Sequence, residues 1–258
     1  MTIEGLLLDI DGVLSVSWEP IPGSIEAMEA FRRAGLPICL ITNTTTHPRA
    51  ELARVLNDAG FSISPDEVMT AVTATAAHLR AAHPGASVFL LSDGDARADM
   101  EGVALVDSVD AADVIVLGGA SKDFTYPAVN AVFRRLMDGA ALVAMHRNFY
   151  WRTADGLELD AGAYVAGLEA ATGRQAVVCG KPSAEYFAAA LAVLGVPADR
   201  AAMVGDDVVN DVEGARAAGL TGILVRTGKY RPGDERRGAP DAVVDRLADV
   251  PGWLGLAG

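Results

Sequence analysis

The sequence has few cysteines and no long apolar run. Its two cysteines, Cys39 and Cys179, cannot build a disulfide framework or a cysteine-based metal cage. Each lies in a short apolar stretch, which is typical of a buried, reduced thiol. No apolar segment reaches the ~18–20 residues that a membrane-spanning helix needs, and no basic, cleavable leader pattern stands at the N-terminus. These absences predict a cytoplasmic protein that does not associate with a membrane.

Basic residues are also scarce relative to acidic ones. The 258 residues include 21 Lys and Arg against 34 Asp and Glu, which leaves a formal charge of −13. A nucleic acid would be repelled over most of such a surface, so we expect no nucleic-acid partner. If the substrate is a phosphate, cations must reverse the sign of the field locally. Hydrophobic residues make up 51% of the chain, enough for a full core without disulfides or structural metals.

Short β-rich runs alternate with longer helical stretches, a pattern typical of an α/β protein with a parallel sheet. The predicted strands are Ile3–Leu8, Pro37–Ile41, Val88–Leu91, Val103–Val106, Val114–Leu117, Leu142–Met145, Ala176–Cys179, Ala202–Val204 and Gly222–Val225. The predicted helices are Ser24–Ala34, Pro48–Gly60, a helix that starts at Ser64, Tyr126–Met137, Gly162–Thr172, Ala184–Leu194 and Val208–Ala218.

Polar residues follow four of the predicted strands at the point where each strand ends. They are Asp9-Ile10-Asp11-Gly12, Thr42-Asn43-Thr44, Gly180-Lys181-Pro182 and Gly205-Asp206-Asp207. In an open parallel sheet, ligands bind outside the carboxyl ends of the strands. If the four strands are neighbours, these polar groups converge on one place and bring together at least three carboxylates and one ammonium group.

Carboxylates that crowd together raise one another's pKa unless a cation lies among them. The four strand ends offer oxygen ligands and no thiolate or imidazole, which favours Mg²⁺ over a softer metal. Lys181 adds a second positive charge. A divalent ion, an ammonium group and main-chain amides together form a phosphate-binding arrangement.

The spacing Asp9-x-Asp11 places two carboxyl groups on the same side of an extended strand. One carboxylate can then attack as a nucleophile while the other transfers protons. The spacing alone does not say which residue has which role. Asp211 lies one helical turn after Asp207, and this repulsive pair calls for a compensating cation.

These four motifs, in this order, resemble those of the haloacid dehalogenase (HAD) superfamily. Roughly 140 residues separate Thr42 from Lys181, too many for a linker, and they resemble the large cap of subclass IIA, with its NagD-like and HDHD2-like phosphatases. The resemblance implies a Rossmann-like, doubly wound parallel sheet as the catalytic core, residues 1–70 and 174–258. It also implies an inserted α/β cap domain of the C2 type, residues 71–173.

The resemblance further implies a two-step phosphoryl transfer. Asp9 would attack phosphorus and form an aspartyl-phosphate, and Asp11 would protonate the leaving group and then activate water. Lys181 would act with them as a third catalytic residue. The residues implied to bind phosphate are Gly12, Thr42, Asn43 and Lys181. Those implied to bind Mg²⁺ are Asp9, Asp206 and, through its main-chain carbonyl, Asp11. Asp207 and Asp211 would support the metal site from its surroundings.

The implied function is that of a Mg²⁺-dependent phosphatase for a small phosphorylated metabolite. The alternative is a catalytically weak phosphate- or metabolite-binding protein of the same fold. A haloacid dehalogenase would not need the metal carboxylates, and a phosphotransfer receiver domain is about half as long and has no cap. The loop from His146 to Arg152 is expected to contribute to substrate selection, and Arg147 or Arg152 could contact an anionic substrate. Cap-to-cap dimers are common among such relatives, so a homodimer is an open expectation.

Overall fold

The computed structural model describes residues 2–153 and 156–256, and for residues 151–153 it describes the backbone alone. The chain forms two compact units. Unit 1 comprises Met1–Thr42, Arg49–Met69 and Lys181–Gly258, and unit 2 comprises Asn43–Pro48 and Thr70–Gly180. Residues 174–180 lie in unit 2, although the resemblance implies that they belong to the core.

The strands are, in chain order, β1 (Gly5–Asp9), β2 (Ser15–Val16), β3 (Glu19–Pro20), β4 (Ile38–Thr42), β5 (Val68–Thr70), β6 (Ser87–Leu91), β7 (Ala104–Val106), β8 (Val114–Leu117), β9 (Ala141–Ala144), β10 (Tyr150–Thr153), β11 (Gly156–Leu159), β12 (Val177–Val178), β13 (Ala201–Gly205), β14 (Thr221–Val225) and β15 (Ala242–Val244). The helices are α1 (Ser24–Arg33), α2 (Arg49–Asp58), α3 (Ala71–Ala82), α4 (Tyr126–Met137), α5 (Ala161–Thr172), α6 (Ala184–Leu194), α7 (Gly214–Ala217), α8 (Asp234–Arg237) and α9 (Val250–Trp253).

Unit 1 contains a sheet with the strand order β15-β14-β13-β1-β4-β5. The pairs from β15 through β14, β13 and β1 to β4 are all parallel. Every residue of β1, β4 and β13 is buried, as expected for central strands covered on both faces. The carboxyl ends of these strands therefore lie side by side at one edge of the sheet.

Helices cover both faces of this sheet. Leu8, Leu40 and Val204 pack in one cluster with Phe31 of α1 and Leu56 of α2. Helix α6 packs against β1 and β4 with side chains that lie outside that cluster. The α/β architecture predicted from the alternation of short and long elements is confirmed, and so is the Rossmann-like parallel sheet that the resemblance implies.

Unit 2 contains a second parallel sheet, with the order β12-β9-β8-β6-β7, and an antiparallel hairpin of β10 and β11. The expectation that the strand ending near Cys179 neighbours the other three motif strands is wrong. Val177 and Val178 pair with Val143 and Ala144 of β9, in unit 2.

Two predicted helices also differ from the structure. No long helix starts at Ser64. The Ser64 N–H donates to the Glu67 carboxylate at 2.8 Å in a capping box, but the 3₁₀ turn over Pro65–Glu67 ends at Val68, where the chain becomes extended and enters β5. The stretch predicted as one helix from Val208 is a π-helix over Val208–Glu213 followed by α7. Among the described residues, no helix is long and apolar enough to cross a bilayer.

Candidate active site

Three carboxylates meet at the edge of the unit 1 sheet. Asp9 ends β1, Asp206 follows β13, and Asp211 lies in the π-helix that comes next. Leu8 pairs with Val204 in neighbouring parallel strands, so the two strand ends emerge together. One oxygen from each of the three carboxylates lies within 4.8 Å of the others. We call these three residues the acid cluster, and all three are buried.

Lys181 lies against the acid cluster, although no strand of unit 1 carries it there. Its Nζ donates to Asp9 Oδ1 at 2.8 Å and to Asp211 Oδ1 at 2.7 Å. Burial by itself would lower the pKa of Lys181, but the carboxylates of Asp211 and Asp9 raise it above its usual value. The lysine therefore stays charged and compensates part of the negative charge.

Lys181 supplies one positive charge against three buried carboxylates, so negative charge remains in the acid cluster. Burial, together with the charges of Asp9 and Asp211, raises the pKa of Asp206 to about 8. Burial likewise raises the pKa of Asp211 to about 6, against the opposing effect of Lys181. Asp206 Oδ1 is buried and has no hydrogen-bond partner within the part of the chain that the structure describes. An unpartnered carboxylate oxygen among other carboxylates fits a hard divalent cation such as Mg²⁺.

Asp11 lies beside the acid cluster, with its side chain exposed. Partial burial and the neighbouring charge of Asp9 raise the pKa of Asp11. A carboxyl group that retains its proton more readily than usual is suited to donate it to a leaving group.

Gly12 leaves space for the Asp206 carboxylate, and its N–H is already hydrogen-bonded within the protein. Its N–H donates to the Ser15 carbonyl at 2.7 Å, so the amide is not available for the phosphate contact that the resemblance implies. Its φ is +89°, and a Cβ atom at Gly12 would lie 2.0 Å from Asp206 Oδ2. Gly228 lies next to Gly12 and approaches the same oxygen, since a Cβ at Gly228 would lie 1.9 Å from it.

Asp207 and Asp211 differ in what they do. Asp207 caps the π-helix, because its Oδ1 accepts from the Val209 and Asn210 N–H groups at 3.1 and 3.0 Å. Burial alone would raise the pKa of Asp207, but the hydrogen bonds from Asn210 outweigh this effect and lower it. Asp211 instead belongs to the acid cluster itself, and its Oδ2 accepts from the Asp207 N–H at 3.1 Å.

The segment that follows β14 also contacts the acid cluster. No role for this segment was predicted from the sequence. The Lys229 N–H donates to Asp206 Oδ2 at 2.6 Å, and its Nζ lies 4.0 Å from Asp207. Desolvation opposes the charge of Lys229, but Asp9 and Asp206 raise its pKa. The Thr227 hydroxyl donates to the Gly12 carbonyl. The signal was present in the sequence, because polar residues follow β14 as they follow β1 and β13.

The other predicted phosphate-binding residues lie at the end of β4. Thr42 is the last residue of that strand and is buried, and Asn43 is the first residue of unit 2. The Thr42 N–H donates to the Tyr186 hydroxyl at 3.0 Å.

The loop expected to select substrate lies in unit 2, and its first residues have partners there. His146 is buried, with Nε2 3.9 Å from Asp160 Oδ2. The Arg147 guanidinium pairs with Glu169, which makes it a structural ion pair within this unit. The side chain of Arg152 lies outside the described residues.

Two family models match the chain. One, described as haloacid dehalogenase-like hydrolase, matches residues 6–105, and one described as HAD-hydrolase-like matches residues 178–250. Haloacid dehalogenase-like hydrolase domain-containing protein 2 of Homo sapiens is 38% identical over 235 residues, which are 91% of this chain and 88% of that protein. The chain belongs to the HAD hydrolases.

Solved structures of HAD phosphatases resemble the chain over nearly its whole length. A p-nitrophenyl phosphatase from Archaeoglobus fulgidus matches with a TM-score of 0.91 and 29% identity, over 98% of this chain and all of that one. A glycerol phosphate phosphatase from Mycobacterium tuberculosis, solved in complex with magnesium, matches with a TM-score of 0.84 and 28% identity, over 95% of this chain and 75% of that one. The resemblance to capped HAD phosphatases of subclass IIA is confirmed, and the chain is a phosphatase of this family.

Proposed function

We propose that the protein is a Mg²⁺-dependent phosphatase that hydrolyses a small phosphorylated metabolite through an aspartyl-phosphate. The observation that carries the proposal is the acid cluster, in which Lys181 bonds to two of the three buried carboxylates and Asp206 Oδ1 has no hydrogen-bond partner among the described residues. A structural cluster would be expected to satisfy each buried oxygen. A cluster that binds a cation and a phosphoryl group would not.

Asp9, Asp206 and the main-chain carbonyl of Asp11 would hold the Mg²⁺ ion, and Asp211 would keep Lys181 and the main chain of Asp207 in place. When bound, the ion supplies positive charge that stabilises phosphoryl oxygens during transfer. Gly12 and Gly228 leave the space that the Asp206 carboxylate occupies.

In the first step, a carboxylate oxygen of Asp9 attacks phosphorus, and the bond from phosphorus to the leaving oxygen breaks. We assign the attack to Oδ2, because Lys181 holds Oδ1 at 2.8 Å. Asp11 donates its proton to the leaving oxygen, and the alcohol departs.

In the second step, Asp11 accepts a proton from water, and that water attacks the aspartyl-phosphate. The bond between phosphorus and the Asp9 oxygen breaks, which restores the Asp9 carboxylate and releases inorganic phosphate. Lys181, with Thr42 and Asn43, would hold the phosphoryl oxygens during both steps, offsetting the charge that develops on them.

The charges around the site favour a small anionic substrate. The chain as a whole carries a formal charge of −13, but Lys181 and Lys229 both lie next to the acid cluster. With a divalent ion bound, the site would attract a phosphate that the rest of the surface repels.

The experiment is hydrolysis of p-nitrophenyl phosphate with Mg²⁺, with Ca²⁺ and after exhaustive treatment with EDTA. We expect activity with Mg²⁺, much less with Ca²⁺, because its looser coordination disturbs in-line attack, and none after chelation. Unchanged activity after chelation would refute the metal assignment. Binding of inorganic phosphate without any turnover would instead support the alternative, a metabolite-binding protein of this fold.

A further inference from the structure

The hydroxyl of Tyr186 forms hydrogen bonds with main-chain groups of two strands in unit 1. It accepts a hydrogen bond from the Thr42 N–H at 3.0 Å, and it lies 3.0 Å from the Thr42 carbonyl and 2.9 Å from the Met69 carbonyl. A phenol has one proton to donate, so the two carbonyls share it. The ends of the neighbouring strands β4 and β5 are thereby joined through one side-chain oxygen.

Tyr186 also lies close in sequence to the lysine of the site. It stands in the first turn of α6, and its N–H donates to Ser183 Oγ at 3.2 Å in the helix cap. Lys181, which contacts Asp9 and Asp211, lies two residues before Ser183. One short segment therefore contacts both the acid cluster and the end of β4.

The contacts of Tyr186 occur where the chain passes between its two units. Thr42 and Met69 are the last residues of unit 1 before the first and second passages into unit 2, and Lys181 is the first residue after the second return. Strand pairing weakens at such ends because the neighbouring residues leave the sheet. The Tyr186 hydroxyl supplies the hydrogen bonds that keep the main chain of Thr42 and Met69 in place there.

We propose that Tyr186 is a positioning residue, whose hydroxyl holds Thr42 in a fixed place relative to Lys181 so that both can bind the same phosphoryl group. The inference rests on the proposed function, because it takes Thr42 and Lys181 as phosphate-binding residues. Both the N–H and the carbonyl of Thr42 bond to one buried oxygen, so Thr42 cannot turn without breaking two buried hydrogen bonds.

The packing of Tyr186 does not by itself require the hydroxyl. Its ring is fully buried and packs edge-on against Phe187, with 6.2 Å between the ring centroids. A phenylalanine would fill the same space. Burial raises the pKa of Tyr186 well above its usual value, so the hydroxyl keeps its proton over the whole working range of pH.

The test compares Tyr186→Phe with the matched variant Phe187→Leu, which alters the same buried aromatic pair but no hydroxyl. For Tyr186→Phe we expect kcat/KM for p-nitrophenyl phosphate, per folded molecule, to fall at least ~10-fold, since small displacements of positioned groups cost this much or more. Calorimetric binding of inorganic phosphate should weaken in parallel, while binding of Mg²⁺ alone stays as in the wild type. Phe187→Leu should lose thermal stability but keep its affinity for phosphate.

Hydrogen exchange tests the geometry without relying on activity. The Thr42 amide should exchange slowly in the wild type and markedly faster in Tyr186→Phe, while the Leu40 amide of the same strand stays protected in both. Fast exchange at Thr42 in the wild type would overturn the proposal without the use of any variant. Equal phosphate affinities in Tyr186→Phe and wild type would also overturn it, even where the variant is less stable. If the wild type shows no phosphatase activity, the proposed function fails, and phosphate binding and exchange still decide the role of Tyr186.

Discussion

The ammonium group of Lys181 donates a hydrogen bond of 2.8 Å to Asp9 Oδ1, across 172 positions of sequence. The same group bonds to Asp211 at 2.7 Å. Lys181 thus bonds to two of the three buried carboxylates of the acid cluster, and no residue that the structure describes forms a hydrogen bond with Asp206 Oδ1. The geometry thus leaves a defined place for a cation and keeps a phosphate-binding lysine beside the carboxylate that we assign as nucleophile.

Gly12 should be essential for Mg²⁺ binding because of space, in addition to the strain that its backbone angle would impose on any other residue. In Gly12→Ala, the new methyl group would lie 2.0 Å from Asp206 Oδ2 and displace that carboxylate. We expect Mg²⁺ affinity to fall by about 10–100-fold, the usual effect of disturbing the support of a metal ligand. Titration calorimetry with Mg²⁺ measures it.

Gly35→Ala is the matched control for backbone strain. Its φ of +71° is also in the left-handed region, but a Cβ there would meet nothing within 4 Å. This variant should lose about 1–2 kcal/mol of unfolding free energy and bind Mg²⁺ normally. Equal Mg²⁺ affinities in the two variants would contradict the steric role of Gly12.

His146 should make the stability of the protein depend on pH. Burial lowers the pKa of His146, and the Asp160 carboxylate only partly opposes this shift. Below about pH 6.5, the usual pKa of histidine, the unfolded chain binds a proton that the folded chain does not. The unfolding free energy should therefore fall as the pH decreases from about 6.5, by at most about 1.4 kcal/mol per pH unit.

Urea unfolding at several pH values measures this dependence. His146→Gln should show a smaller decrease than the wild type between pH 7 and 5, while His83→Gln, at a partly exposed position, should retain it. If His146→Gln and the wild type lose stability in parallel, another group causes the loss.

The thiol of Cys39 should be inert in the folded protein. Burial, together with the charge of Glu67, raises the pKa of Cys39 to about 12. At pH 8 the reactive thiolate is therefore almost absent. We expect iodoacetamide to label Cys39 only after denaturation, as measured by peptide mass spectrometry. Rapid labelling of Cys39 in the native protein would show that its thiol is accessible and reactive, and would contradict this prediction.

The α/β architecture was predictable from the sequence because the elements alternate regularly and the strands are short, apolar runs. Helix α4, Tyr126–Met137, has the predicted bounds. The place of β12 was not predictable. A strand of two residues carries no signal that says which of two parallel sheets it joins, and only its pairing with β9 decides this.

The composition of the site was predictable in part. Asp9, Lys181 and Asp206 were identified because polar residues follow apolar runs, and the structure brings these three together. The commitment of the Gly12 amide to Ser15 depends on a tight turn after β1, and turn geometry is not visible in a motif. The contact of Lys229 with Asp206 depends on β14 lying next to β13. The order of strands in a sheet cannot be determined from the motifs alone.

The division of roles between Asp9 and Asp11 is the central claim, and trapping of the phosphoenzyme tests it most directly. Wild type, Asp9→Asn and Asp11→Asn are mixed with p-nitrophenyl phosphate and Mg²⁺, quenched in acid and analysed by peptide mass spectrometry. Without its proton shuttle, Asp11→Asn should turn over roughly 10²–10⁴ times more slowly and accumulate phosphate on Asp9. Asp9→Asn should carry none. A phosphorylated peptide from Asp9→Asn, or full turnover by that variant, would contradict the account.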